Sequence, residues 1–124
     1  MLTVSLSGDK REFFPKAVVE GTATWHMENP PGESSTDLEL NLFYYTSGRG
    51  DQDLQIVQSL PLANQPVHGS QHFSFILPPS PYSFSGKLIS LIWAVELVCG
   101  DDAARVEFVM APNGREIKLT EIQP

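Results

Sequence analysis

Few residues in this chain of 124 could do chemistry: three histidines, one cysteine and a scatter of acids. His68 and His72 stand four apart, the spacing that sets two metal ligands side by side on a helix. Here they fall in a loop entering a strand, where that spacing does not align them, and a zinc site asks for three or four ligands. His26 lies on the polar phase of an alternating segment. Cys99 ends the apolar phase of another and reads as a small buried hydrophobe. A reactive thiol needs an electropositive, partly exposed setting, and the neighbours of Cys99 are Asp101 and Asp102. Asp101-Asp102 and Asp51-x-Asp53 are calcium-ligand types, but they lack the glycine-spaced run of oxygen donors that ends in a bidentate glutamate. Turn acids account for them. Arg49-Gly50-Asp51 spells a cell-adhesion tripeptide where any hairpin would want glycine and a charge. There is no Gly-x-Ser-x-Gly elbow and no phosphate-cradling glycine loop. The expectation is a protein that is not an enzyme, with no catalytic residue, no metal set and no cofactor.

The elements that would position any site are strands. From Ile89 every second residue is apolar (Ile89, Leu91, Trp93, Val95, Leu97, Cys99), the mark of a strand with one face in a core. Leu2, Val4 and Leu6 make a first short strand, closed by Gly8-Asp9-Lys10. The odd positions Ala17 to Met27 make a second, in which Gly21 marks a bulge or a close backbone approach. Asn29 to Thr36 is a loop, since two prolines and a glycine cannot continue a ladder. Leu38, Leu40, Leu42 and Tyr44 carry a third strand, ended by a turn at Ser47 to Asp51. Leu54, Ile56, Leu60 and Leu62 carry a fourth, irregular near Pro61. Asn64 to Ser70 reads as loop. Phe73, Phe75 and Leu77 carry a fifth strand, stopped by Pro78-Pro79. After the sixth, from Leu88, come a seventh (Ala104, Val106, Phe108, Met110), a hairpin turn at Pro112-Asn113-Gly114 and an eighth (Ile117, Leu119). No segment sustains a helical period.

Eight short strands without helices mean two antiparallel sheets face to face or a closed barrel, and the one-sided alternation favours the sandwich. Residues 1–124 read as one domain of common size, with 41% hydrophobic residues. The net charge of −7 argues against nucleic acid and against an anionic lipid surface. No apolar run reaches the ~20 residues of a membrane span. A single cysteine and the absence of a basic leader before an apolar stretch make the cytoplasm the expected location.

Two stretches resemble arrestin-like domains. One runs Phe75-x-Leu77-Pro78, Pro81-x-Ser83-Phe84-x-Gly86, then Ile89-x-Leu91-x-Trp93-x-Val95: a strand ending in Leu-Pro, a Pro-Ser-aromatic-Gly crossover and a long strand. The other runs from Phe14-Pro15 to Val19-x-Gly21. The resemblance implies an immunoglobulin-like, arrestin-like antiparallel β-sandwich whose relatives mostly act as adaptors and scaffolds. The chain has room for only one such domain. The buried charged cluster and the phosphate-sensing lysine pair of arrestins have no match here, so the resemblance brings no receptor or phosphate recognition. Phe84 is expected to cover the open end of the sandwich like a lid.

One feature points outward. Phe43, Tyr45, Leu88, Ile92 and Val98 occupy the solvent phases of the third and sixth strands. If those strands are neighbours, the five side chains form one apolar patch, either an interface for a protein partner or a second copy, or a surface that a long loop covers or the strands twist apart. The function expected is protein–protein interaction through a sheet face or an edge strand; the alternative is a small-molecule or carbohydrate binding module.

Overall fold

Alternation of apolar and polar residues becomes ten strands in the computed structural model, which describes residues 1–28, 35–48, 53–86, 89–112 and the backbone of 117–118. These are β1 (Leu2–Leu6), β2 (Glu12–Phe13), β3 (Val18–His26), β4 (Ser35–Gly48), β5 (Leu54–Pro66), β6 (His68–Ile76), β7 (Phe84–Ser85), β8 (Ile89–Cys99), β9 (Asp102–Met110) and β10 (Ile117–Lys118). The helical content of the described residues is one 3-10 turn, Ser7–Asp9, with Gly8 at φ 66°. No helix there is long and apolar enough to cross a membrane.

Two sheets pack face to face. The smaller has the order β1-β3-β6, antiparallel throughout. The larger has β8 at its centre, with β4 and then β5 on one side, and β9 and the short β7 on the other. Two short parallel pairs finish it, β2 on β9 and β10 on β7. The expected sandwich is therefore present, with β2 and β7 added to the eight strands read from the sequence.

Two local expectations are corrected. Residues 64–70 are not a loop: β5 continues to Pro66 and β6 begins at His68. Pro61 and Pro66 are tolerated in β5 because it is an edge strand, paired among the described residues with β4 alone. β10 pairs with β7 and not with β9, so Pro112 does not lead into a hairpin with the preceding strand. Asn113, Gly114, Leu119, most of the 29–36 loop and the Arg49-Gly50-Asp51 tripeptide lie outside the described residues.

The core forms where the inward phases meet: Val19, Ala23 and Trp25 on β3, Leu40 and Leu42 on β4, Phe73 and Phe75 on β6, Trp93, Val95 and Leu97 on β8, Val106 and Phe108 on β9. Trp93 is wholly buried, its ring 5.0 Å from that of Tyr44 and 6.2 Å from that of Phe108. Each tryptophan also fastens a passage between sheets. Trp25 Nε1 donates to the Pro66 carbonyl (2.8 Å), where the chain leaves the large sheet for the small one. Trp93 Nε1 donates to the Pro81 carbonyl (2.8 Å) in the proline-rich crossover. The crossover is tied again at Ser83, whose N–H donates to the Met110 carbonyl (2.8 Å) and whose Oγ accepts from the Met110 N–H (3.0 Å). Phe84, half-buried, packs against the core. Gly21 marks a close approach: a Cβ there would meet the Ser5 carbonyl oxygen at 2.1 Å.

Candidate interaction face

The strands that carry the outward apolar residues are neighbours, since β4 pairs with β8 so that Phe43 faces Ala94 and Tyr45 faces Ile92. On the far side of β4, Ile56 of β5 stands opposite Phe43 and Leu54 opposite Tyr45. Beyond β8, Glu107 of β9 stands opposite Ala94 and Arg105 opposite Glu96. The outer face of the large sheet is therefore a set of cross-strand rows.

Phe43, Tyr45, Ala94 and Ile92 form a second hydrophobic cluster, separate from the core. It is not the bare patch that alternation suggests. Phe43 and Tyr45 are 2% and 8% exposed. Arg105 covers them: its guanidinium carbon lies 5.9 Å from the Phe43 ring centre and 5.2 Å from that of Tyr45. An arginine over aromatic faces gains quadrupole attraction and shields the rings with its own apolar stem. The Tyr45 hydroxyl donates to Glu107 Oε2 (2.5 Å), and Arg11 Nη1 donates to the Glu107 carbonyl (2.9 Å). Burial, then the hydrogen bond to the Glu107 carboxylate and its charge, push the Tyr45 phenol above its ordinary pKa, against a smaller opposing pull from Arg105.

Of the five residues read from the sequence, the structure brings Phe43, Tyr45 and Ile92 together. Val98 is half-buried in a different row, between Glu39 and Ala103. The polar row Asn41–Glu96–Arg105 separates it from the others. Leu88 lies outside the described residues.

The residues missed from the sequence are the exposed ones. Leu54 is 58% and Ile56 46% exposed, and with Asn41, Phe43 and Glu96 they bound a hollow of about 60 Å³. Leu54, Ile56, Leu60 and Leu62 share one parity, which assigns them one face. A register shift in the β4–β5 ladder at Leu42/Phe43 divides them. Leu60 and Leu62 oppose the inward Leu40 and Leu38, whereas Leu54 and Ile56 oppose the outward Tyr45 and Phe43. One extra residue in a strand turns every side chain beyond it to the other face.

Beside the cluster, an open groove of about 420 Å³ is lined by Arg11, Ser85, Ser90, Ile92, Glu107, Phe108 and Val109. Its polar groups are the guanidinium of Arg11, two hydroxyls and the Glu107 carboxylate. Among the described residues no group of three or more His, Cys, Asp and Glu side chains is placed to hold a metal ion. Cys99 is half-buried, its Sγ 3.3 Å from Thr36 Oγ1.

No protein-family model and no curated protein matches the chain. Among solved structures it is similar to the sporulation control protein Spo0M of Bacillus subtilis, at 17% identity and a TM-score of 0.56, over 88% of this chain and 48% of that one. It also aligns with a β-glucosidase of Listeria innocua solved with gluconolactone, at 11% identity and a TM-score of 0.49, over 94% of this chain and 16% of the enzyme. The chain thus spans about half the length of Spo0M. That likeness is one of fold, an all-β sandwich of arrestin-like type.

Proposed function

We propose that this domain works without catalysis, in the cytoplasm, as a protein-interaction module of the adaptor or scaffold kind. It would engage its partner through the free edge of β5 and the outer face beside it. The observation that carries this reading is the condition of β5. No strand pairs with its far side among the described residues, and Leu54 and Ile56 stand exposed on it next to the Phe43–Tyr45 cluster. An unpaired edge with apolar side chains is a template for strand addition by a partner. Pro61 has no N–H to offer, so the pairing stretch is Leu54 to Leu60. Spo0M is described as a control protein, a role in keeping with this reading.

The test is affinity purification from the native cell with the parent domain and with Ile56→Lys, together with light scattering at high concentration. One stoichiometric protein, or a second copy of the chain, retained by the parent and lost by the folded variant supports the proposal. A monomer that retains nothing, or an assembly indifferent to Ile56→Lys, refutes it. The groove of about 420 Å³ with Arg11 and Glu107 in its wall favours a second reading, a small polar ligand such as a sugar. Protection of Phe108 and Ile92 resonances by a carbohydrate, with no protein retained, would establish that instead.

A further inference from the structure

The register of β3 on β6 places His26 directly opposite His68, two residues the sequence holds far apart. Their Nδ1 atoms are 2.7 Å apart and their ring centres 3.9 Å apart, and both rings are exposed. Two Nδ1 atoms at that separation cannot both carry a proton, because two N–H groups would then point at each other. One ring donates and the other accepts, so at least one lone pair is already aimed into the gap. Moving the shared proton to Nε2 or to water aims both.

We propose that His26 and His68 form a surface chelate for a late first-row divalent metal ion, with Cu²⁺ the tightest. A metal at ~2.0–2.1 Å from two nitrogens needs them about 2.9 Å apart at a right angle, and about 3.4 Å apart in a tetrahedron. The pair opens by a few tenths of an ångström for the first and by more for the second. That geometry and the Irving–Williams order both rank Cu²⁺ above Zn²⁺. The remaining coordination positions are filled by water, because His72 cannot join: it pairs with Thr22, four residues along the strand and about 13 Å away. Neither β3 nor β6 contains a lysine or arginine; the Met1 ammonium, which donates to the His26 carbonyl, is a cation beside the pair. Both imidazoles sit on paired strands, so little freedom remains to be lost when the ion binds.

The experiment titrates tag-free chain with Cu²⁺ and, separately, Zn²⁺ in a non-coordinating buffer at neutral pH. It compares the parent with His26→Gln, His68→Gln and His72→Gln. One equivalent of Cu²⁺ should bind the parent and His72→Gln alike. Losing either chelating ring should weaken it by at least about a hundredfold, the usual gain from a second tethered contact. In the parent, paramagnetic broadening by Cu²⁺ should reach the His26 and His68 ring signals before that of His72. Copper that binds equally well to His26→Gln or His68→Gln, held by an amino group or elsewhere, overturns the proposal. Broadening that begins at His72 does the same, and needs no variant.

Discussion

Replacing Tyr45 with phenylalanine tests the construction of the outer face, because it removes one oxygen and leaves the ring under Arg105. The ring is buried, and its part-buried hydroxyl donates to the Glu107 carboxylate at 2.5 Å. Hydrogen bonds to charged groups contribute about 1.5–3 kcal/mol. Glu107 is exposed and regains water when the partner is lost, so a net cost of about 1 kcal/mol is expected near neutral pH, which moves a urea midpoint by roughly 0.5 M. The pH dependence separates this bond from generic packing. The phenol pKa is raised in the folded state, so above its ordinary value of about 10 the folded chain holds a proton that the unfolded chain has released. Stability therefore falls as pH climbs from the unfolded value through the folded one, at no more than about 1.4 kcal/mol per pH unit for one proton. Below the ordinary value this contribution is fully present. Tyr45→Phe has no such proton, so its deficit should shrink as the pH rises. The assay is urea unfolding of both proteins across the alkaline range, with phenolate absorbance following the three tyrosines. A deficit that stays constant with pH, or an unchanged phenolate titration after the substitution, would refute the assignment of this bond.

Other substitutions probe the frame. Gly21→Ala should cost more than about 3 kcal/mol, the upper end for overpacking, because its Cβ would meet the backbone oxygen of Ser5 at 2.1 Å and the Phe73 ring at 2.6 Å; urea unfolding and protease sensitivity of β1 measure it. Gly69→Ala should cost less, about 1–3 kcal/mol, since its Cβ meets a side chain, the Trp25 ring at 2.8 Å, and not backbone; a quenched or shifted indole signal should accompany it as the bond to Pro66 lengthens. Ser83→Ala should cost about 1–3 kcal/mol by leaving the Met110 N–H without its acceptor in a buried place. Faster hydrogen exchange at Met110 would report that loss, and unchanged exchange would disprove it.

Much of the frame was legible because a strand writes its burial in its own sequence. The period-two run from Ile89 to Cys99 identifies β8 and its inward face, and Trp93 lies at the bottom of it as expected. Pairing is not written locally. The two-residue strands β2 and β7 are too short to show a period, and residues 64–70 read as loop because prolines, glycine and polar residues crowd there. Their strand character comes from β4 and β3, which supply partners on one side.

The same distinction explains the outer face. Parity along β9 sets Arg105 and Glu107 apart from Val106 and Phe108, so their outward direction is readable. That they arrive over Phe43 and beside Tyr45 depends on a register between strands more than forty residues apart in sequence. His26 and His68 meet by the same kind of long-range register, which no local spacing of histidines carries. The shift at Leu42/Phe43 is the sharpest case. It changes no residue type and breaks no hydrophobic pattern, yet it turns Leu54 and Ile56 from core-facing to solvent-facing. Deleting Val57 should remove the bulge and leave Ile56 opposite Phe43 and Leu54 opposite Tyr45, both still outward, because an odd number of steps then separates them from Leu60. A folded deletion variant should therefore keep the exposed apolar edge and its partner. A variant that folds but loses the partner would show that the bulge, and not Leu54 and Ile56, carries the contact.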